Sequence, residues 1–376
     1  MNETPREPVK VSPFLLRHFV WIAIGAVLLV AVGGVLSVWL PYQREQRITR
    51  MIQVEGQYAA YQYYGPDWIP ESVKDRLRFL YHIQSVNLTD ESTVSVEILS
   101  ELGSLTRLEI LSLKTAHDRL ETLKGLKHLK LLDVSNTPVT NVGLSHLKGL
   151  SSLESLALSN TPVTDAGLVH LKGLNKLKTL ALSDTHVTDA GLEHLQGLTS
   201  LDGLGLNNTQ VSGGGLEHLK RLTNLRILVL TNTQVTDASL VHLKRLTSLY
   251  ELGLENTQVT GAGLEHLKGL TNLCDLDLDN TQVTDTGLEH LKGLTNLKWL
   301  WLDNTQVTDA GLEHLKGLTS LYQLDLNVTA VTDVGLEHLK GLTSLKLLRV
   351  DDTQVTAEGR AMLRKALPSC ETVPSP

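Results

Sequence analysis

Nine histidines recur at a constant interval of 24 residues, and imidazole is a side chain that ligates metals and transfers protons. They are His146, His170, His194, His218, His242, His266, His290, His314 and His338. A metal site needs ligands that converge on one point and a second shell that orients them. Equal positions of successive repeats form a row and do not converge. We therefore predict no catalytic residue, no metal site and no cofactor, and interpret the row as one solvent-flank side chain copied by duplication. A response to pH is a weaker alternative, because a protonated row would repel itself.

Acidic residues and two tryptophans form a second set with possible binding chemistry. The set comprises Glu251, Glu255, Asp275, Asp277, Asp279, Trp299, Trp301, Asp303 and Asp325. Glu255, Asp279 and Asp303 occupy one position of the repeat, and like charges on strands about 4.8 Å apart repel each other. Exposed tryptophan is typical of binding hot spots. The set predicts a ligand surface for a basic or aromatic-tolerant protein segment or for a glycan. A merely solvated face is the alternative, and a divalent cation is a minor option because strand-face oxygens converge poorly.

Other classes of chemistry are disfavoured by what the sequence lacks. It contains no P-loop, HExxH, GxSxG, CxxC or Rossmann glycine motif. The formal net charge of −7 argues against a nucleic-acid partner, which requires a basic stripe. Cys274 and Cys370 are the only cysteines, so a disulfide framework is excluded. An enzyme using the histidine row or the acidic set is therefore an unlikely alternative.

A repeat of 24 residues positions all of these side chains. Residues 297–305 read LKWLWLDNT, which is an LxxLxLxxT pattern. The pattern also starts at Leu129, Leu153, Leu177, Leu201, Leu225, Leu249, Leu273, Leu321 and Leu345, with looser copies at Ile83 and Leu108. Each of these roughly twelve copies predicts a short strand whose alternate apolar residues face one side.

A short helix is predicted after each strand. In Val307–Lys316, Thr308 is placed as the N-cap and Asp309 lies in the first turn, where the helix dipole favours a carboxylate. Leu312 and Leu315 form one buried stripe. Gly317 is predicted to end the helix in the left-handed conformation. The sequence thus predicts parallel strands joined by helical crossovers.

These motifs resemble the leucine-rich-repeat superfamily across about Ile83 to Leu367. The LxxLxLxxT-x-VTDAGLEHLKGL unit is similar to the ribonuclease-inhibitor-like and cysteine-containing subclasses, and to bacterial repeat proteins behind a single anchor. The resemblance implies an α/β fold, namely a right-handed horseshoe solenoid with a parallel sheet on its concave face and short convex helices. Threonine stands where those families usually carry Asn or Cys, and its hydroxyl is expected to bond the turn backbone.

Substitutions within the repeat predict one irregular stretch. Ser239 interrupts a column of helix glycines, and Arg221 and Arg245 interrupt the glycine column after the helices. A non-glycine residue in a left-handed position costs about 1 kcal/mol. We therefore predict a weaker or distorted region around residues 211–246.

The domain organisation follows from the regions that flank the repeats. We predict a tail at residues 1–18, a transmembrane helix at 19–40, an N-terminal cap at 41–80, the solenoid at 81–367 and a C-terminal cap and tail at 368–376. The 22 positions of segment 19–40 carry no charge and match a hydrocarbon core of about 30 Å. A cleaved signal peptide is the alternative. Similar numbers of basic residues flank the two ends of this segment, so they do not decide its orientation. We expect the solenoid on the non-cytoplasmic side because long domains translocate largely regardless of charge.

Taken together, the sequence favours a membrane-anchored module that binds a protein or a glycan through its concave face. A structural spacer or adhesion stalk without a discrete ligand site is the first alternative. The fold itself does not decide between them, because leucine-rich repeats serve many functions.

Overall fold

The computed structural model describes residues 40–52, 58–63, 74, 81–88, 96–114 and 120–373. The predicted tail and nearly all of the predicted transmembrane segment lie outside these residues. Within the described ranges, no helix combines the length and the apolar character needed to cross a membrane.

One sheet of fourteen strands, in the order of the sequence, runs through the described residues. Strand β1 pairs antiparallel with β2, and every later pair is parallel and in register. The strands are β1 (Tyr58–Tyr63), β2 (Tyr81–Leu88), β3 (Ile110–Leu113), β4 (Leu131–Asp133), β5 (Ser155–Ala157), β6 (Thr179–Ala181), β7 (Gly203–Gly205), β8 (Ile227–Val229), β9 (Glu251–Gly253), β10 (Asp275–Asp277), β11 (Trp299–Trp301), β12 (Gln323–Asp325), β13 (Leu347–Arg349) and β14 (Glu371–Val373).

Short helices occupy the other side of each repeat. Residues 40–52 are helical before the sheet begins. The α-helical segments are Val96–Leu102, Asn141–Leu144, Asp165–Leu168, Asp189–Leu192, Gly213–Leu216, Asp237–Leu240, Asp285–Leu288, Asp309–Leu312, Asp333–Leu339 and Ala357–Ala366. The 3₁₀ segments are Leu120–Gly125, Ser145–Leu147, Val169–Leu171, Glu193–Leu195, Glu217–Leu219, Val241–Arg245, Gly263–Leu267, Glu289–Leu291 and Glu313–Leu315.

Strand alternation places the core on one side of the sheet, as the pattern predicts. In β10 and the residue after it, Leu276 and Leu278 are fully buried, whereas Asp275 and Asp277 are partly exposed. The leucines and valines of the helices pack against the strand leucines in one continuous core. Each repeat covers the apolar face of the next, which explains why no repeat needs a large aromatic core.

The threonine column and the helix N-caps behave as predicted. Each column threonine donates its hydroxyl hydrogen to the carbonyl three residues earlier, as Thr305 does to Leu302 at 2.7 Å. Thr308 has extended backbone angles and accepts the N–H of Ala310 at 3.3 Å. These hydroxyls satisfy backbone groups that the tight turn and the helix end would otherwise leave unpaired.

The left-handed positions are not the ones that the glycine column suggested. Gly317 is not left-handed, and Lys316 before it has right-handed helical angles. The prediction for Gly317 is therefore wrong, and Arg221 and Arg245 carry no left-handed strain. The residue before each column threonine is left-handed instead, with φ between 51° and 62° at ten positions, of which most are Asn and one is Val328. Asn tolerates this conformation, but a β-branched residue such as valine does not.

A carboxylate links each regular repeat to the next. Asp309 accepts the backbone N–H of Thr332 at 2.7 Å with one oxygen and the Thr332 hydroxyl at 2.6 Å with the other. We call this arrangement the Asp–Thr clamp. Gly335 is the third residue of the next helix, Asp333–Leu339. A side chain there would collide with the carboxylate of Asp309. The helix glycines are thus required because the preceding repeat fills that space.

The largest irregularity of the helical segments lies just after residues 211–246, the stretch in which it was predicted. Gly213 provides no carboxylate, but the Ser239 hydroxyl occupies the vacant space and accepts the N–H of Thr236 at 3.0 Å. The α-turns there keep their regular form, whereas the 3₁₀ segment Val241–Arg245 is longer than Glu217–Leu219 in the preceding repeat. Gly261 also lacks a carboxylate, and its repeat has only the 3₁₀ segment Gly263–Leu267 where its neighbours begin with an α-turn. The distortion follows the loss of a clamp that no other side chain replaces.

Candidate functional site

Strands β9 to β12 bring the predicted acidic and aromatic residues onto one face of the sheet. In register, Asp275 lies between Glu251 and Trp299, and Trp301 lies between Asp277 and Asp325. All are on the side opposite the buried leucines, which we call the concave face. Glu251, Asp275, Asp277, Asp279 and Asp303 are contiguous there, and we refer to these five residues as the acidic patch.

The two tryptophans are half-buried and not exposed as expected. The Trp301 indole Nε1 donates a hydrogen bond to Asp275 Oδ1 at 3.0 Å, which fixes the ring across β10. The Lys298 ammonium lies 5.9 Å from the centre of the Trp299 ring. The two indole rings therefore lie beside the carboxylates, and the Trp299 ring already contacts a cation, Lys298.

Carboxylates on the column that follows the strands hold the backbone of the next repeat. Asp279 Oδ1 accepts the N–H of Asp303 at 2.7 Å. Asp303 accepts the backbone and side-chain N–H groups of Asn327, both at 2.8 Å. These bonds place the charges of neighbouring repeats close together. The carboxylates are preorganised, because the backbone fixes their orientation before any ligand arrives.

Burial raises the pKa values of Glu251, Asp275, Asp277 and Asp279 because it disfavours their charged forms. Burial raises the pKa of Asp277 to about 6, although the N–H of Asp279 opposes the shift. Burial and the charge of Asp277 raise the pKa of Asp279 to about 8. Burial also raises the pKa values of Asp275 and of Glu251, whose pKa the charge of Asp275 raises further. Near neutral pH, part of the patch is thus protonated and titrates as a coupled group.

Asp325 and Glu255 differ from the rest of the predicted set. The Asp325 side chain is only 1% exposed and lies 3.4 Å from the guanidinium of Arg349, with Gln323 Nε2 donating to it at 3.1 Å. Asp325 is therefore enclosed by its own repeat neighbours and not free to touch a ligand. Glu255 is partly exposed at the margin, and its charge contributes to the raised pKa of Asp277.

The histidine row is half-buried along the helical side of the repeats. His146 Nε2 lies 3.9 Å from Glu121, which is the one ion pair of the row in the part of the chain that is described. In the same part, no group of three or more His, Cys, Asp or Glu side chains is arranged to hold a metal ion.

A pocket at the amino ends of β8 to β11 did not follow from the sequence argument. Arg226, Tyr250, Cys274 and Lys298 precede these four strands and line it. The sequence argument compared the strand-face positions and passed over this column. The available signal was a change in the column, from alternating charges that end with Asp202 and Arg226 to cations without an acidic neighbour at Lys298 and Lys346.

The comparisons with known proteins agree with the repeat architecture. A family model described as "Leucine Rich repeat" matches residues 173–195. An internalin from Listeria monocytogenes, inlF, is similar in structure at 23% identity and a TM-score of 0.62, over 77% of this chain and 86% of that one.

Two further solved structures match smaller shares of this chain. Internalin C2 from the same organism is 31% identical over 53% of this chain and 80% of its own, with a TM-score of 0.44. A plant peptide hormone receptor, RGFR1 in complex with RGF2, is 14% identical over 68% of this chain and 46% of its own, with a TM-score of 0.46. None of the curated proteins matches the chain. The chain therefore contains a leucine-rich repeat at residues 173–195, and its described residues fold as a leucine-rich-repeat solenoid.

Proposed function

We propose that this protein is a binding module whose acidic patch holds a cationic segment of a partner protein. The observation that carries the proposal is a set of preorganised carboxylates without a counterion. Among the described residues, no Lys, Arg or His nitrogen lies within 4.0 Å of a carboxylate oxygen of the acidic patch. A lysine or arginine from a partner would supply the missing charge.

The raised pKa values support the same partner chemistry. A half-buried carboxylate next to another one resists ionisation until a positive charge arrives. The half-buried indoles of Trp299 and Trp301 offer apolar and cation–π contact beside the carboxylates, which suits the stem and the head of a lysine or arginine. A glycan would use the rings for stacking but would not need the charge.

Membrane display is part of the proposal. The uncharged segment 19–40 has the length of a transmembrane helix and would hold the solenoid on the non-cytoplasmic side. Extraction of cell membranes with alkaline carbonate tests the anchor. The full chain should stay with the membrane pellet, and a chain that begins at Pro41 should be released.

The binding proposal is tested with the full-length chain in detergent and a fluorescent, capped octalysine peptide. We expect saturable binding, and the double change Asp277→Asn with Asp279→Asn should weaken it by about a hundredfold, or ~2.7 kcal/mol. Trp299→Ala should weaken it by about tenfold. Fluorescence anisotropy in low salt measures both effects.

Control changes lie at the repeat position of Asp279 in two earlier repeats. Ser159→Ala with Ser183→Ala should leave the affinity unchanged. Equal losses in both double variants would refute a discrete site. Absence of any octalysine binding would favour the stalk, and binding of neutral oligosaccharides that depends on Trp299 but not on Asp279 would favour a glycan ligand.

A further inference from the structure

A cavity lies at the edge of the sheet formed by the amino ends of four successive strands, β8 to β11. Its volume is about 470 Å³. Arg226, Tyr250, Cys274 and Lys298 form one side, each from the residue that precedes a strand. Ser248, Asn272 and Asn296 form the other side from the preceding turns. We call this cavity the rim pocket. Its lining contains two cations and no carboxylate.

The same column carries cations in earlier repeats, but there each one has a counterion. Lys130 Nζ lies 2.9 Å from Glu109, and Lys178 Nζ lies 2.7 Å from Glu154 on the neighbouring repeat. Arg226 and Lys298 have no carboxylate oxygen within 4.0 Å among the residues that the structure describes. The column therefore changes from internally neutralised to cationic where the pocket opens.

Both cations of the rim pocket rest on aromatic rings. The Arg226 guanidinium carbon lies 5.6 Å from the centre of the Tyr250 ring, and Lys298 lies over Trp299. Such contacts restrain long side chains that would otherwise move freely in water. The pocket thus has two positive groups whose positions are limited before a ligand binds.

Neutral donors complete the lining. Asn272 and Asn296 each donate one side-chain N–H to a turn carbonyl, those of Thr247 and Thr271, at 2.9 and 2.8 Å. A carboxamide has two N–H donors, so each amide keeps one for a ligand. A hydrogen bond with Cys274 raises the pKa of Tyr250, so the phenol adds no negative charge to the lining.

We propose that the rim pocket binds the oxyanion group of a small ligand, a carboxylate or a phosphate. The lining offers such a group two cations and uncharged hydrogen-bond donors, and it contains no carboxylate that would repel it. The acidic patch would bind the opposite charge on the concave face, and none of its five residues lines the rim pocket. Failure of octalysine binding would leave this proposal intact, and the reverse also holds.

Calorimetric titration tests the proposal. The full-length chain is titrated in low salt with inorganic phosphate and, separately, with succinate. We expect at least one anion to bind saturably at a single site. Arg226→Gln and Lys298→Gln should each weaken that binding by about tenfold. Lys178→Gln is the matched control, because Lys178 has the same repeat position but is neutralised by Glu154, and it should have no effect.

A second measurement does not depend on variants. A bound anion should slow the alkylation of Cys274 by iodoacetamide in the folded chain, as followed by mass spectrometry of its peptide. Cys370 is also buried but lies outside the pocket, so its rate should not change. Tighter binding of phosphate assigns a phosphorylated ligand, and tighter binding of succinate assigns a carboxylate. If neither anion binds or protects Cys274, or if Lys178→Gln weakens binding equally, the proposal is overturned.

Discussion

The concave face of β5 to β7 and that of β9 to β12 are built on the same core but carry different side chains. The earlier strands present small neutral residues, such as Ser155 and Ala157 in β5. The later ones present acids and tryptophans, as in β10 and β11. Leu156 and Leu276 occupy equivalent positions and are both fully buried. The scaffold thus accepts small neutral side chains at these positions, and stability of the fold gives no reason for the acids.

The two regions also differ at the rim. Lys178 at the start of β6 is neutralised by Glu154, whereas Lys298 at the start of β11 has no carboxylate oxygen within 4.0 Å among the described residues. Unpaired acids on the face and unpaired cations on the rim therefore occur over the same few repeats. This region therefore has two sets of charged side chains without counterions among the described residues. Such a pattern is expected of surfaces that bind a partner of opposite charge.

The largest stability effect should come from removing the acids. Because the pKa values of Asp277 and Asp279 in the folded chain exceed the usual 3.9 of an unfolded chain, the folded state holds more protons between about pH 4 and pH 8. Their contribution to stability is fully present below about pH 4 and is lost as the pH rises through about 8. At pH 9, Asp277→Asn with Asp279→Asn should raise the free energy of unfolding by about 2 kcal/mol, after allowance for solvent screening.

Urea unfolding of both chains at pH 5 and pH 9 measures this effect. The gain should shrink strongly at pH 5, where the carboxyls are largely protonated. The reciprocal change, Ala181→Asp with Ser183→Asp, places acids at the same repeat positions of the earlier region and should produce a similar loss at pH 9. A gain of equal size at both pH values would show that the carboxylates are not strained by burial.

A smaller effect is expected at Val328, which is the one left-handed valine among the described residues. Val328 has φ of 55° and is half exposed, so Val328→Asn should stabilise the chain by about 1 kcal/mol without touching the core. Asn232 has φ of 56° in an equivalent turn, and it donates to Asn208 at 2.8 Å. Asn232→Val should therefore destabilise by about 1–2 kcal/mol. Thermal unfolding at one pH compares the two, and a loss in both variants would contradict the conformational argument.

The smallest effect concerns the pH dependence of binding. A bound cation favours the ionised carboxylates, so octalysine binding should release protons and tighten by about threefold, ~0.7 kcal/mol, from pH 6 to pH 8. Lysine stays charged throughout this range. The dependence should vanish in the double Asp variant, and affinity that falls with rising pH would contradict the assignment of Asp279.

Most of the fold could be predicted because one apolar pattern recurs with a fixed period. The strands, the Thr308 N-cap and the role of the threonine column follow from side-chain chemistry inside a single repeat. The left-handed turn was missed because glycine was taken as its marker, while Asn304 and its equivalents perform that role. The Asp–Thr clamp was missed as well, since it joins residues of two repeats and has no signature within either.

The candidate site could be predicted only in outline. Alternation placed Asp277 and Trp301 on one face, but it could not show that Trp301 lies across Asp275 or that Asp325 is enclosed by Arg349. Side-chain direction at a sheet surface depends on neighbours from adjacent strands. The rim pocket depends on four repeats together, and a reading of one repeat at a time passes over it.

The Asp–Thr clamp also restricts how this chain can change by mutation. A carboxylate in one repeat excludes a side chain at the helix glycine of the next, as with Asp309 and Gly335. Where the carboxylate is missing at Gly213, the following repeat carries Ser239 in place of glycine, whereas the repeat after Gly261 keeps Gly287. Repeats are therefore not freely exchangeable units. Deletion of a whole 24-residue unit is harmless only if the side chains of the newly adjacent repeats fit each other. The repeat that contains Gly213 and the repeat that contains Ser239 must therefore be kept or removed together.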